Sequence, residues 1–215
     1  MKFDHHRRCD VFGPHNIDLV SVLFGALLGD AYGEKRQGKS RICFQQESNN
    51  RAYLNWIHQF LASRGYCSSR KPKIATKIGP HGRLRYLSRI RTFSFGSFNP
   101  IVEWFYVCKR KHVPKKEILM RHLTPLALAI WISDDGTSSG PGLKLCTNAF
   151  PLEEVQTLSE VFQERYQILA KPNRNGFFKH TGQVQYCLYI HKGSMKKLRC
   201  IVQPWMVKSM IYKLQ

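Results

Sequence analysis

The side chains best placed to do chemistry are two aspartates a hundred or so residues apart, each closing an apolar run. Asp30 ends Leu23-Phe24-Gly25-Ala26-Leu27-Leu28-Gly29, and Asp135 ends Leu128-Ala129-Ile130-Trp131-Ile132-Ser133-Asp134. If the two runs are helices packed side by side, both carboxylates arrive at one end of the pair. That end is electrostatically poor, because the acids repel each other and each sits at the partly negative C-terminus of a helix. A hard cation with oxygen ligands resolves the conflict, and Mg²⁺ typically takes one or two protein carboxylates plus substrate phosphates.

The elements that must position these acids are legible in outline. Gly25 and Gly29 in the first run, and Ala129 and Ser133 in the second, are small residues four apart. They share one helix face and let two backbones approach closely. Ile17 to Leu28 reads as a helix capped by Asn16 or Asp18 and closed near Gly29, and Pro125 begins the second motif helix at its first turn. In the first half, Glu34 to Ser40 reads as a polar, basic loop and Arg41 to Glu47 as a strand. A helix capped by Ser48 or Asn49 then runs to about Ser63, with Tyr53, Trp56, Ile57, Phe60 and Leu61 on its apolar face and Gly65 at its end. Asn99 to Cys108 reads as a short aromatic helix. In the second half, Gly142 to Asn148, Ile168 to Pro172 and Gln183 to Ile190 read as strands, with turn residues filling 173–182. Leu152 to Tyr166 is a helix, and Ser194 caps another that Pro204 ends. The chain thus repeats once, Asp135 standing where Asp30 stood. The expected class is α+β, with two pseudo-symmetric lobes of roughly αββαββα, 1–115 and 116–215, about a pseudo-twofold axis.

Composition narrows the partner. The chain has 34 Lys and Arg against 14 Asp and Glu, a formal charge of +20. Such a field suits a polyanion. A membrane surface is the rival, but no run of about 18 apolar residues exists, so nucleic acid is the expected partner. The charge is uneven: 21 basic against 7 acidic residues up to position 115, then 13 against 7. Seven scattered cysteines without a C-x-x-C pair read as reduced packing thiols. The first ten residues, with His5 and His6, have no apolar run and do not read as a secretory signal.

The clearest binding surface lies between Gly82 and Phe95, where Arg83, Arg85, Arg89 and Arg91 all fall on odd positions. A period of two puts them on one strand face. Lys73 and Lys77 share a face of the preceding segment, and Gly79-Pro80-His81-Gly82 supplies the turn. A two-stranded ribbon fits the DNA major groove, where arginine reads guanine edges or clamps phosphates. Arg36, Lys39, Arg41 and Gln45 in the first half, and Lys144, Lys171, Arg174, Gln183 and Gln185 in the second, complete the candidate DNA-contacting set.

The two runs resemble the LAGLIDADG motifs of homing endonucleases, Leu23 to Ala31 aligning with one copy and Leu128 to Gly136 with the other. Asp30 and Asp135 fall on the metal-binding acidic position. The copies depart from the pattern at Ala31, Ile130 and Ser133. The likeness is to single-chain, two-motif members encoded in organellar introns, and extends over most of the chain. It implies motif helices at the lobe interface, saddle-shaped antiparallel sheets in the major groove, Mg²⁺ bridging the acids and both DNA strands, and short 3′ overhangs. It implies Mn²⁺ as a substitute and Ca²⁺ as an ion that binds without supporting cleavage. The family also places a basic residue near each centre, which by position in the repeat gives Lys111 and Lys213; Tyr212 and Leu214 must anchor the latter. Glu47 and Gln46 in one half, and Asn148 in the other, are weaker candidates for orienting solvent. Gly29 and Asp134 are the remaining metal-site candidates, although Asp134 itself reads as pointing elsewhere on the helix or turn. The expected function is a monomeric, site-specific double-strand endonuclease acting on a long asymmetric target, mitochondrial with chloroplast as the alternative. The second reading is an RNA-binding intron maturase, or a cleavage-inactive DNA binder, on the same scaffold. No H-E-x-x-H arrangement, His/Cys cluster or nucleotide-binding glycine loop supports another nuclease or an ATP-driven enzyme.

Overall fold

The structure is a computed structural model that describes residues 15–79, 82–179 and 181–215. The N-terminal segment with His5, His6 and Cys9, and Pro80 and His81 of the predicted turn, lie outside the described residues.

Helix α1 (Ile17–Leu28) starts where Asn16 accepts a hydrogen bond from the Asp18 N–H at 2.8 Å. Nine of its residues are buried, so it is a core helix rather than an amphipathic surface one. It stops at Gly29, whose N–H reaches the Gly25 carbonyl while the Ala31 N–H reaches that of Ala26. Helix α5 (Pro125–Asp135) is its counterpart, with Thr124 accepting from the Ala127 N–H at 3.1 Å and proline in the first turn. The two helices run side by side in the same direction. Ser21 and Thr124 share a hydrogen bond of 2.7 Å near their N-termini, and Gly29 meets Asp134 at the other end. The approach depends on glycine: a Cβ on Gly25 would lie 2.1 Å from the Ala127 carbonyl oxygen.

Each helix feeds an antiparallel four-stranded sheet. The first contains β1 (Tyr32–Arg36), β2 (Lys39–Glu47), β3 (Ile74–Ile78) and β4 (Leu84–Arg91) in the order β1-β2-β4-β3. The second contains β7 (Gly136–Ser139), β8 (Gly142–Cys146), β9 (Ala170–Phe177) and β10 (Val184–Ile190) in the matching order β7-β8-β10-β9. Alternation assigns the faces. Ile42, Phe44 and Ile90 are buried, as are Leu143, Leu145, Leu188 and Ile190, in one continuous apolar core with α1 and α5. Helices α2 (Arg51–Ser63), α4 (Lys116–His122), α6 (Leu152–Tyr166) and α7 (Lys192–Val202) complete the covering layer.

Several local expectations are corrected. The supposed loop 34–40 is a hairpin, because Gln37 and Gly38 both take positive φ and close a tight turn between β1 and β2. Asn99 to Cys108 is not one helix: α3 (Asn99–Glu103) gives way to a small hairpin of β5 (Tyr106–Val107) and β6 (Arg110–Lys111), turned at Cys108 and Lys109. Asn173, Asn175 and Gly176 belong to β9, where an irregularity opposite Gln185 absorbs the turn-like residues. Helix α2 is preceded by a 3-10 turn at Ser48–Asn50 and has no side-chain cap. Ser194 lies in the first turn of α7, where its hydroxyl accepts from the Leu169 N–H at 2.9 Å rather than capping the helix.

Candidate active site at the ends of the paired helices

The C-terminal ends of α1 and α5 bring three carboxyl groups together. Asp30 lies just past α1 and is exposed, whereas Asp134 and Asp135 form the last helical turn of α5 and are half-buried. Asp134 does not point elsewhere. Its side chain fills the space that Gly29 leaves, and a Cβ on Gly29 would lie 2.6 Å from that of Asp134. The seam therefore accommodates one acid because its partner position is glycine.

A buried amide ties the cluster together. Gln46 Nε2 donates to Asp30 Oδ2 at 2.9 Å and to Asp134 Oδ1 at 3.1 Å, and its Oε1 accepts from Asn50 Nδ2 at 3.0 Å. Those contacts fix which end of the amide faces the acids. The Tyr53 hydroxyl and the Asp30 backbone N–H also serve the Asp134 carboxyl. Burial, then the charges of Asp30 and Asp135, push Asp134 well above the usual carboxylate range. Burial and the Asp30 charge raise Asp135 to about 7, against the pull of Lys111, a bond from Trp131 Nε1 at 3.2 Å and the pull of Lys213.

The two lysines occupy matching places. Lys111 Nζ donates to the carbonyls of Gly29 at 2.6 Å and Ala31 at 3.3 Å. Lys213 Nζ donates to those of Ser133 at 2.5 Å and Asp134 at 3.0 Å. Each thus satisfies carbonyls that a helix terminus leaves without partners and counters its partial negative charge. Burial lowers the pKa of both, and the neighbouring aspartates oppose that effect. The β5–β6 hairpin delivers Lys111, opposite Tyr106 in its register. A 3-10 segment, Lys208–Leu214, delivers Lys213. Its anchors are Met210 and Leu214, both buried, and not Tyr212, which is 54% exposed.

Asp135 faces two clefts. One of about 420 Å³ is shared with Thr137, Cys146 and Lys213; the other, about 220 Å³, is shared with Gly29, Lys111 and Asn148. Asn148 accepts from Asn175 Nδ2 at 2.8 Å. Glu47 lies on the opposite strand face from Gln46 and forms an ion pair with Arg85. Thr147 takes the inward position that Gln46 holds in the first sheet, and its hydroxyl donates to the Tyr186 carbonyl at 2.9 Å. Among the described residues no three His, Cys, Asp or Glu side chains form a closed cage. The acids supply oxygen ligands on an open edge, which fits a hard divalent cation that completes its shell with water and phosphate oxygens.

The outer sheet faces carry most of the remaining candidates. Register puts Arg36, Lys39, Arg41, Gln45, Lys77, Arg85, Arg89 and Arg91 on one face of the first sheet. Arg41 pairs with Glu34 there, and Arg89 Nε donates to Gln45 Oε1 at 3.1 Å. Lys73 and Arg83 are exposed just outside β3 and β4. In the second sheet Lys144 and Lys171 flank Tyr189, Gln185 shares their side, and Gln183 sits in the β9–β10 turn. Arg174 pairs with Tyr186 and so alternates to the other side. Gln46, Asn50, Tyr53 and Trp131 are site neighbours to which the sequence assigned little or no role. The available signal was a polar residue on the apolar parity of β2, following Ile42 and Phe44.

The fold and the sequence both have known counterparts. The homing endonuclease I-WcaI, solved bound to its DNA recognition sequence, superposes with a TM-score of 0.83 at 22% identity, over 95% of this chain and 88% of that one. The cytochrome b mRNA maturase bI2 of Saccharomyces cerevisiae is 39% identical over 94% of this chain and 48% of its own length. Its namesake in Debaryomyces hansenii is 36% identical over 97% of this chain and 79% of its own. The intron-encoded endonuclease ai4 of Dictyostelium discoideum is 36% identical over 74% of this chain and 98% of its own. This chain thus spans about half the length of the Saccharomyces relative. Residues 20–198 match the LAGLIDADG DNA endonuclease family, and the chain belongs to it.

Proposed function

We propose that this chain is a monomeric, Mg²⁺-dependent, site-specific endonuclease that cuts both strands of a long asymmetric DNA target and leaves short 3′ overhangs. The observation that supports this most is the retention of acids at the ends of both motif helices, beside two lysines engaged with helix carbonyls. A protein that only binds nucleic acid gains nothing from carboxylates turned toward phosphate.

In this reading Asp30 and Asp135 hold the metal, with Gly29 and Asp134 at the seam. When bound, the divalent cation offsets charge on the scissile phosphates and acidifies a water; Mn²⁺ substitutes, and Ca²⁺ binds without supporting cleavage. Lys111 and Lys213 stand by to stabilise charge that develops on phosphate. Gln46 keeps Asp30 and Asp134 in one arrangement, and Glu47 at the end of β2 and Asn148 in the turn after β8 are the residues that would orient solvent. The arginines and lysines on the outer sheet faces grip the duplex. The lobes divide near residue 115, a boundary supported by the pairing of Lys116 with Glu160 and Glu164 of α6. The compartment is the mitochondrion, since the two most similar relatives named above act on cytochrome b mRNA.

Those same names favour a second reading, an intron maturase that binds RNA. One experiment separates them. Purified protein with Mg²⁺ is offered a randomised duplex library, and cleaved sites are recovered. Wild type cuts a defined site, whereas Asp30→Asn and Asp135→Asn bind it without double-strand cleavage. A wild-type chain that binds intron RNA and cuts nothing overturns the nuclease reading.

A further inference from the structure

The two sheets hold their cysteines in unlike surroundings. In the first, Cys43 stands opposite Tyr32 and Arg91. In the second, Cys146 of β8 and Cys187 of β10 stand directly opposite each other, on the face that carries Lys144 and Tyr189. Among the described residues they are the only two cysteines paired in this way. Both are free thiols, Cys187 buried and Cys146 half-buried. Cys146 also walls both clefts that Asp135 faces.

The hydrogen bonds along β10 fix the kind of pair. His191 donates its N–H to the Leu169 carbonyl, on the β9 side. Successive residues alternate, so Ile190, Leu188 and Tyr186 turn their backbone groups toward β8. The Thr147 hydroxyl accordingly donates to the Tyr186 carbonyl at 2.9 Å. Cys187 shares the parity of His191 and turns its backbone groups toward β9. Its pairing with Cys146 is therefore of the non-hydrogen-bonded kind, in which Cα atoms stand about 4.5 Å apart and side chains approach most closely. A disulfide spans Cα separations of roughly 4.4–6.8 Å, so one closes here without moving either strand. It closes at the tight end of that range, where the bond is more readily reduced again.

We propose that Cys146 and Cys187 form a modification site, a thiol pair that hydrogen peroxide converts reversibly into a cross-strand disulfide on the face that meets the duplex. The more accessible Cys146 sulfur takes one oxygen from peroxide, becoming a sulfenic acid and releasing water. The Cys187 sulfur then attacks the Cys146 sulfur, the S–O bond breaks and a second water leaves. Two thiols and one peroxide thus give one disulfide and two waters. Burial raises the pKa of both thiols, Asp135 adds to this at Cys146, and Lys144 opposes it at each. The pair owes its selectivity to placement and not to acidity, and reacts more slowly than an exposed thiol. Shielding of the site by DNA rests on the duplex reading above; the disulfide itself does not.

The test treats reduced protein with hydrogen peroxide, caps free thiols with iodoacetamide, and digests the monomer for peptide mass spectrometry. Wild type should give a linked Cys146–Cys187 peptide pair, lighter by two hydrogens, which dithiothreitol returns to two cappable thiols. Unfolding in guanidinium chloride before oxidation should scatter the linkages among the other cysteines. Cys187→Ser should strand the intermediate, so that dimedone labels Cys146 in this variant and not in fully oxidised wild type. A bound duplex should abolish the linkage while Cys200 is still capped, because α7 packs on the opposite side of that sheet. Oxidation of exposed Cys108 and Cys200 with Cys146 and Cys187 both still cappable, or each carried to sulfinic acid without joining, would overturn the disulfide. A linkage that forms alike with and without duplex would overturn only its place beneath DNA.

Discussion

Replacing Gly25 by alanine tests the helix pairing on which the site depends. In an isolated helix this change stabilises by about 1 kcal/mol. Here the new Cβ would lie 2.1 Å from the Ala127 carbonyl oxygen, 2.9 Å from its carbonyl carbon and 3.0 Å from its Cα. All three atoms belong to backbone, so no side-chain rotation relieves the clash. The helices must part by about 1 Å, and overpacking of this kind costs roughly 1–3 kcal/mol or more. The expected net loss of up to about 2 kcal/mol lowers the melting temperature by up to roughly 8 °C in a domain of this size, whereas Gly193→Ala keeps the gain. The same displacement separates Asp30 from Asp135, and about 1 Å of misplacement is enough to slow a positioned reaction on the order of a hundredfold. Gly193→Ala is the control, because a Cβ there meets nothing within 4 Å. Far-ultraviolet circular dichroism melts and single-turnover cleavage would be measured on both variants. If Gly25→Ala melts and cleaves like Gly193→Ala, the helices are not in contact at Gly25 and the account of the seam fails.

Further outcomes follow from the same geometry. Lys111→Met and Lys213→Met each leave helix-end carbonyls without a donor, so each should cost about 1–3 kcal/mol in a denaturant titration and slow single-turnover cleavage while duplex binding persists. Asp135 has a folded pKa of about 7, above its unfolded value. Between about pH 4 and pH 7 the native state therefore holds the extra proton, and stability from this group falls as pH rises through that window. In EDTA, Asp135→Asn should melt higher than wild type at pH 8 and no higher at pH 4; an equal or lower melt at pH 8 would contradict the crowding of acids. Duplex affinity should fall steeply with salt. Gln substitutions at Arg83, Arg85, Arg89 and Arg91, taken singly, should lower the salt slope by about 0.9 where the side chain meets a phosphate. They should shift the base selected from a library where it meets a base edge, and a shallow wild-type slope would count against this surface.

The sequence was most legible where one physical constraint dominated. Helix α6 has the predicted bounds, because its acidic first turn and apolar spacing agree. The first-sheet arginines share a face because strand parity has only two values. It was least legible where pairing overrode local preference. Turn-forming Asn173, Asn175 and Gly176 were drawn into β9 by its partner β10, and the aromatic run after Glu103 became the hairpin that presents Lys111.

From the chain alone one could read a duplicated helix-and-sheet plan, the small-residue face of the first motif helix and the acid closing each copy, since these depend on spacing a few residues long; on the second helix Gly25 and Gly29 meet Ala127 and Asp134, not the expected Ala129 and Ser133. Only the folded molecule decided that Asp134 turns into the seam opposite Gly29, and that Gln46 rather than Glu47 reaches the acids. It also decided that the lysines bind helix carbonyls. These contacts join segments tens of residues apart, and their geometry exists only once two helices have closed to backbone contact.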